Sequence, residues 1–231
     1  MLQAIGLTKR FGEHTALNGL DLTVSRGEVF CLLGQNGAGK TTTINLFLGF
    51  LQATSGSARV NDLEISLNSK TAKKHLAYIP EVVMLYGNLS GIENLQYFSK
   101  LAGFNYDRRE LSAYLTKAGL AEDAHHKLLE NYSKGMRQKV GIAIALAKNA
   151  DGIVMDEPTS GLDPKATAEF TAIVKQLAAE GKSILMATHD IFNAVNIGSR
   201  IGIMKAGSLV HTLNAASVTA SELQNLYLET I

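Results

Sequence analysis

One glycine-rich stretch constrains this sequence more than any other feature. Residues 34–42 read GQNGAGKTT and fit the pattern G-x-x-x-x-G-K-[ST], in which backbone N–H groups and a lysine surround phosphate oxygens. The apolar run Glu28–Leu33 precedes the stretch, and a helical pattern follows it. A short, continuous apolar run is typical of a strand that is buried on both faces of a parallel sheet. The sequence therefore predicts an α/β domain with a phosphate-binding loop between a central strand and a helix.

Residue types within this loop fit the individual tasks of holding a nucleotide. The Lys40 ammonium can reach the β- and γ-phosphates, and the Thr41 hydroxyl can bind Mg²⁺. The helix N-terminus adds the positive end of its dipole. The predicted nucleotide-binding residues of the loop are Gly34, Asn36, Gly37, Ala38, Gly39, Lys40, Thr41 and Thr42.

A second motif narrows the class of nucleotide-binding protein. Residues 152–158 read GIVMDEP, an apolar strand pattern that ends in two acids and a proline. Neighbouring side chains of a strand point to opposite faces, so the two acids are predicted to do different work. Asp156 would hold Mg²⁺, and Glu157 would polarise the attacking water as the general base. No Asn-Lys pair occurs, and this disfavours a GTPase, whose guanine specificity usually involves an N-K-x-D element.

Changes of periodicity along the chain indicate its organisation. The first 30 residues show strand patterns, helical periodicity runs from about residue 91 to 147, and βα alternation returns after residue 151. This predicts an α/β fold: a P-loop NTPase core with a parallel sheet, an N-terminal antiparallel β part and an inserted helical subdomain. A strand pair is predicted at Gly56–Val60 and Leu76–Ile79. The predicted division is a single domain with a core at about 1–80 and 151–218, a helical insert at about 82–150 and a short C-terminal helix at about 219–231.

Composition excludes several other classes of protein. With 22 Lys and Arg against 21 Asp and Glu, the net charge of +1 provides no broad basic field for nucleic acid. The single cysteine, Cys31, excludes a disulfide framework and a cysteine-rich zinc site, and its place in an apolar run predicts a buried side chain. The apolar run at 140–147 is too short to span a bilayer, and the basic pair follows the N-terminal apolar stretch, unlike a signal peptide. We expect a soluble intracellular protein.

Taken together, these motifs resemble the nucleotide-binding subunit of ABC transporters over roughly residues 2–215. The sequence SGLD after Glu157 is similar to the D-loop of that family and comprises Ser160, Gly161, Leu162 and Asp163. Asp163 and Pro164 also form a good helix start, as N-cap and first helical residue. The strand SILMAT leads to His189, which is similar to the family's switch histidine at the γ-phosphate.

Three further segments extend the resemblance, two of them with departures from the family pattern. The stretch NYSKGMRQK at 131–139 resembles the LSGGQ signature and is called the signature segment below; Ser133 and Gly135 match the family's serine and second glycine. Ser133 is also predicted to be the N-cap of a helix that runs from Lys134 to about Lys148. The Q-loop glutamine of the family falls on Glu81, a carboxylate that can also bind Mg²⁺. Phe11 matches the aromatic residue that stacks on adenine.

The resemblance implies an activity, cofactors and partners. It implies ATP hydrolysis with Mg²⁺, with Lys40, Glu157 and His189 as catalytic residues and with Thr41, Glu81 and Asp156 at the metal. It also implies a head-to-tail dimer, in which Ser133 and Gly135 of one subunit contact the ATP bound to the other. Separate transmembrane permease subunits would hold the chain at the cytoplasmic face of the membrane. The groove for a permease helix would involve Met84, Leu85, Tyr86 and the region Leu95–Phe98.

The sequence departs from the family pattern in the Q-loop and in the signature segment, and it shows no sign of a C-terminal regulatory domain. In these respects it resembles the ATPases of bacterial exporters that pair with a six-span permease. The cargo is not readable from the sequence. Two alternatives stay open at this point. One is an ABC ATPase that works without membranes, in DNA repair or on ribosomes. The near-neutral charge and the single cassette without long coiled coils disfavour this alternative, so no nucleic-acid partner is expected. The other is a metabolite kinase, which would not explain SGLD and His189.

Overall fold

Two β-sheets and eight α-helices make up the fold of the computed structural model, which describes residues 1–231 throughout. The strands are β1 (Leu2–Phe11), β2 (His14–Val24), β3 (Val29–Gly34), β4 (Ser55–Val60), β5 (Leu63–Glu64), β6 (Leu76–Ile79), β7 (Gly152–Asp156), β8 (Ser183–Thr188), β9 (Arg200–Lys205) and β10 (Ser208–Asn214). The helices are α1 (Lys40–Phe47), α2 (Ser69–Ala72), α3 (Gly91–Leu101), α4 (Arg108–Lys117), α5 (Lys134–Ala147), α6 (Pro164–Ala179), α7 (Ile191–Ile197) and α8 (Ala220–Thr230). The mixed α/β fold predicted from the sequence is confirmed.

The N-terminal sheet is antiparallel, with the strand order β2-β1-β4-β5. In β2 the buried residues Leu20, Leu22 and Val24 alternate with exposed neighbours, as expected for a sheet with one face on the core. Leu2 of β1 lies opposite Val24 of β2 and is fully buried. This sheet therefore covers one side of the domain with its apolar face turned inward.

The second sheet carries the elements that lead to the site. Its order is β10-β9-β3-β8-β7-β6; β10 runs antiparallel to β9 and the other pairs are parallel. All residues of β3 and β8 are buried, which explains the uninterrupted apolar patterns of these strands. Because β3, β8 and β7 are neighbours, their carboxyl ends deliver the phosphate loop, His189 and the two acids to the same edge of the sheet.

The prediction that Gly56–Val60 and Leu76–Ile79 form a strand pair is wrong. β4 pairs with β1 in the antiparallel sheet, whereas β6 pairs with β7 in the parallel sheet. The sequence SGSARV of β4 mixes small polar residues with apolar ones and suits a half-exposed strand. The apolar LAYI of β6 suits a buried parallel edge instead.

The helical periodicity predicted between residues 91 and 147 corresponds to α3, α4 and α5. Ser90 and Asp107 close capping boxes at the starts of α3 and α4. Helix α5 is buried along most of its C-terminal half and shares one hydrophobic core with the parallel sheet. Consequently the C-terminal half of α5 is packed on the sheet that carries the phosphate loop, and the signature segment lies at the more exposed N-terminal end of the helix. None of the eight helices has the length and apolar character needed to cross a membrane.

Candidate functional site

Helix α1 begins without the capping partners that the other long helices have. Its N-cap, Gly39, has no side chain to offer, and no acidic residue lies in its first turn. Each of the six other helices with seven or more residues has a capping side chain that accepts a hydrogen bond from the first turn. The first N–H groups of a helix have no intrahelical acceptor. The N-terminus of α1 therefore presents free donors and the positive end of its dipole to an anion.

Two glycines give the phosphate loop its close packing. A Cβ on Gly34 would lie 2.8 Å from the Met204 carbonyl oxygen, and one on Gly39 would lie 2.8 Å from that of Ala16. Gly39 also has a φ of 109°, which L-residues with side chains rarely adopt. The loop can fold back over the end of β3 only with glycine at both positions.

The Lys40 side chain lies inside this loop, with 6% of it exposed. Its ammonium donates hydrogen bonds to the carbonyl oxygens of Gly34 and Gln35 and lies 3.9 Å from Oε1 of Glu157. Burial lowers the pKa of Lys40, and the nearby carboxylates Glu157 and Asp156 oppose that shift. A desolvated ammonium held by two carbonyls is suited to exchange these weak partners for phosphate oxygens.

Asp156 is the last residue of β7 and faces the start of α1. Burial raises the pKa of Asp156, the Glu157 carboxylate adds to the rise, and the Thr41 hydroxyl and the Lys40 ammonium oppose it. A carboxylate in this setting gains much from a nearby cation, because it has lost water without gaining a salt bridge. The Thr41 hydroxyl and the Asp156 carboxylate, which the sequence analysis assigned to Mg²⁺, thus lie within hydrogen-bond reach of each other.

Glu157 lies just beyond the strand, in a turn. Strand β7 ends at Asp156, and Glu157 has a φ of 44°, a left-handed conformation that is unusual for this residue type. The turn therefore orients Glu157, whereas the sequence argument relied on the pleat of a strand. Its Oε2 accepts a hydrogen bond from the His189 backbone N–H at 3.2 Å and lies 2.9 Å from His189 Nδ1. The two acids accordingly have different partners, Thr41 for Asp156 and His189 for Glu157.

Side chains from two other elements hold the turn at 157–160. The Ser160 hydroxyl donates to Oε1 of Glu81 at 2.9 Å, which links the predicted D-loop to the predicted Q-loop position. Asn193 of α7 donates its Nδ2 hydrogen to the buried Thr159 hydroxyl at 2.9 Å. Sequence analysis missed Asn193, because its position after His189 carries no motif and its partner is 34 residues away.

An open cleft of about 490 Å³ lies over the phosphate loop. Phe11, at the end of β1, lines one side of it and is 47% exposed. The Lys9 ammonium lies 4.9 Å from the centre of that ring. His14 and Gln35 also line the cleft and were not predicted from the sequence. An exposed aromatic ring beside the phosphate loop provides a surface on which a planar base can stack.

The signature segment lines a different cleft, of about 780 Å³. Ser133 is the N-cap of α5 and accepts a hydrogen bond from the Met136 N–H, as predicted. A Cβ on Gly135 would lie 3.2 Å from Cβ of Ala166, so the start of α5 packs closely on α6. Asp163 caps α6, and the predicted D-loop residues Gly161 and Leu162 lie between the two helices, near Lys134 and Gly135 respectively. No residue lines both this cleft and the one over the phosphate loop.

A bound divalent cation would need ligands from outside the chain. No group of three or more His, Cys, Asp or Glu side chains is arranged to hold a metal ion. Thr41 and Asp156 supply one hydroxyl and one carboxylate next to the anion-binding end of α1. This donor set fits Mg²⁺, which is usually bound by one or two carboxylates together with phosphate oxygens and water.

Comparison with known proteins agrees with this geometry. Residues 17–160 match the sequence profile of the family described as ABC transporter. The linearmycin resistance ATP-binding protein LnrL of Bacillus subtilis strain 168 is 33% identical over 212 residues, which cover 91% of this chain and 68% of LnrL. The probable multidrug ABC transporter ATP-binding protein YbhF of Escherichia coli K12 is 34% identical over 212 residues, which cover 91% of this chain and 36% of YbhF.

A solved structure links the fold to hydrolysis. The dimeric, post-hydrolysis state of the ATP-binding cassette MJ0796 bound to ADP and Pi superposes with a TM-score of 0.80 at 27% identity, and the alignment covers 93% of this chain and 99% of that one. The phosphate loop, the uncapped helix and the adjacent carboxylates are thus parts of a known ATPase fold. The chain belongs to the ABC transporter family and is an ATP-binding subunit that hydrolyses ATP.

Proposed function

We propose that this chain powers an exporter by closing a head-to-tail dimer around two ATP molecules. The observation that carries this proposal is the separation of the two predicted half-sites. The cleft with Phe11 and Lys40 and the cleft with Ser133 and Gly135 have no residue in common. A second copy in a twofold arrangement can supply the missing half to each site.

Within each site the residues have complementary roles. The free N–H groups of α1 and the Lys40 ammonium bind the phosphates. Thr41 and Asp156 would hold Mg²⁺, and Glu81 would contribute a further carboxylate toward the metal. Glu157 positions and deprotonates the attacking water, and His189 orients Glu157 and contacts the γ-phosphate. Phe11 stacks on adenine.

The D-loop residues Ser160, Gly161, Leu162 and Asp163 adjoin the signature segment and, in the dimer, belong to the contact between the two copies. In the dimer, the contacts that these residues make would depend on whether ATP is bound in the site of the partner subunit.

Separate membrane-spanning subunits complete the transporter and hold the chain at the cytoplasmic face of the membrane. LnrL is a linearmycin resistance protein and YbhF a probable multidrug transporter protein, which supports export of an antibiotic-like compound. The helical insert, about 82–150, provides the docking groove. In this groove Met84 is 82% exposed, and the rings of Tyr86, Tyr97 and Phe98 pack against one another. Leu95, by contrast, is fully buried in the core and does not belong to the groove.

Mixing two inactive variants tests the head-to-tail arrangement. Lys40→Ala removes the phosphate-binding lysine, and Ser133→Arg fills the exposed start of α5. Each variant alone is expected to lack turnover. Their equimolar mixture should recover about a quarter of wild-type ATPase activity, since random twofold pairing makes half of the dimers mixed and each mixed dimer has one complete site. A mixture as inactive as its components would contradict the shared site.

The replacement Glu81→Gln tests whether the carboxylate at this position is needed for ATP binding. Glu81 is exposed and its carboxylate accepts one hydrogen bond, from Ser160, which a glutamine Oε1 can also accept. We therefore expect ATP affinity, measured by titration calorimetry with Mg²⁺, to stay within about tenfold of wild type, or roughly 1.4 kcal/mol. A larger loss would show that Glu81 is a principal ligand of the metal.

A further inference from the structure

The amide of Gln138 joins three segments that the sequence keeps far apart. Gln138 lies on α5, about one and a half turns beyond the N-cap Ser133. Its Nε2 group donates to the carbonyl oxygens of Pro80 and Glu81, both at 3.3 Å, and of Pro158 at 2.9 Å. The residue is 1% exposed. One buried side chain thus connects the signature helix with the segment around Glu81 and with the turn that orients Glu157.

The amide contributes to these contacts only through its donors. Its Oε1 is buried and has no hydrogen-bond partner. An –NH₂ group has two hydrogens, so the three carbonyl oxygens share them. Rotating the amide by 180° would bring its oxygen against three carbonyl oxygens, which fixes its orientation. A buried acceptor without a partner lowers stability, so this arrangement points to a purpose other than packing.

A second contact holds the same segment against α5. Gly141 lies one turn after Gln138, and a Cβ at that position would be 3.2 Å from Cγ2 of Val83. The missing side chain lets residues 80–83 approach the helix closely. The Ser160–Glu81 hydrogen bond connects this segment to the turn after β7 from the other side. The segment, the turn and the helix consequently form a closed set of contacts with Gln138 at its centre.

We propose that Gln138 is a positioning residue for hydrolysis, which makes the start of α5, the segment around Glu81 and the turn bearing Glu157 move as one body. This inference rests on the proposed function, in which the start of α5 contacts ATP on the partner subunit. Dimer closure displaces α5, and Gln138 transmits that displacement to the carbonyl groups of Pro80, Glu81 and Pro158. Glu157 then reaches the attacking water only when the partner site is engaged.

The variant Gln138→Met tests this role, because methionine has a similar volume and no donors. Small misplacements of catalytic groups cost up to about a hundredfold in rate, so we expect kcat for ATP to fall by at least about tenfold. The Kd for ATP, measured on the monomeric chain, should change by less than about threefold, since no phosphate ligand is altered. Hydrogen exchange should accelerate at residues 79–83 and 156–160, while exchange in α1 stays as in wild type.

A matched control exists within the helical insert. The buried Asn94 amide also donates to three carbonyl oxygens, those of Tyr86, Leu89 and Ser90, yet all three belong to the insert itself. Asn94→Asp should lower the unfolding temperature without changing the kcat of the folded protein. If Gln138→Met does not fold, Gln138→Asn answers the same question, since it keeps an amide but withdraws it from the carbonyl groups.

The outcomes separate the alternatives. A Gln138 variant that is folded and turns over ATP within twofold of wild type overturns the proposal. Equal losses in kcat and in ATP affinity also overturn it, because they indicate general damage to the site. Failure of the mixed Lys40→Ala and Ser133→Arg dimers, with Gln138→Met still lowering kcat, would refute the shared site and leave a positioning role of Gln138 within one chain.

Discussion

Replacing Glu157 by Gln should leave a protein that binds ATP and Mg²⁺ normally but hydrolyses ATP about 10²–10⁴-fold more slowly, the usual contribution of a positioned base. The amide keeps the size of the side chain and can still accept the hydrogen bond from the His189 N–H. It cannot take a proton from water. Because hydrolysis opens the closed dimer in the proposed function, the variant should accumulate as a dimer with ATP and Mg²⁺ in size-exclusion chromatography.

Two matched variants make this result interpretable. Glu180→Gln is the same chemical change in an ion-paired glutamate, with Lys117 at 2.8 Å, and it should leave turnover unchanged. Asp156→Asn should instead weaken Mg²⁺-dependent binding, since it removes the charge beside Thr41. A Glu157→Gln protein that hydrolyses at the wild-type rate, or stays monomeric at saturating ATP, would rule out Glu157 as the base.

Lys40→Ala should strongly weaken ATP binding and abolish turnover. The ammonium is almost fully buried and its present partners are two backbone carbonyl oxygens, so its loss removes the charge that would face the phosphates. Truncating one partner of a buried charge pair costs about 2 kcal/mol or more, which corresponds to at least about a 30-fold rise in the Kd for ATP. Titration calorimetry with ATP and a phosphate-release assay measure the two effects.

The neighbouring lysine Lys205 provides the control for Lys40. It is exposed and lines a small cleft beside the phosphate loop, with Gln35 and Gly37. If a positive charge near the loop were sufficient, Lys205→Ala would weaken binding comparably. We expect Lys205→Ala to bind ATP as wild type does. Undiminished turnover in Lys40→Ala, with its fold intact by circular dichroism, would refute the role of the loop.

The parts of the site that could be predicted are those formed by residues close together in the sequence. The phosphate loop, the cap at Ser133 and the helix start at Asp163 each follow from residues within a few positions of one another. The strand pairing of residues 56–60 was mispredicted because paired strands can be distant in sequence. The pattern of apolar and polar residues in one strand does not determine which strand it pairs with.

Gln138 and Asn193 illustrate the same limit for side chains. Both residues have buried amides that donate hydrogen bonds to carbonyl and hydroxyl groups 20 to 58 positions away in the sequence. A lone amide in a helical pattern carries no spacing signal, so nothing in the sequence separates it from an ordinary core residue. The direction of Glu157 was also hidden, because a left-handed residue after a strand follows no pattern of apolar and polar positions.

That left-handed backbone at Glu157 bears on how the protein can be engineered. A non-glycine residue held in this conformation costs on the order of 1–3 kcal/mol, and glycine would relieve most of that cost. A directed-evolution screen that rewards heat resistance alone will thus favour glycine at position 157 and enrich robust but inactive variants. Libraries of this protein should be sorted on turnover before they are sorted on melting temperature. At position 157, selection for turnover favours glutamate, whereas selection for melting temperature favours glycine.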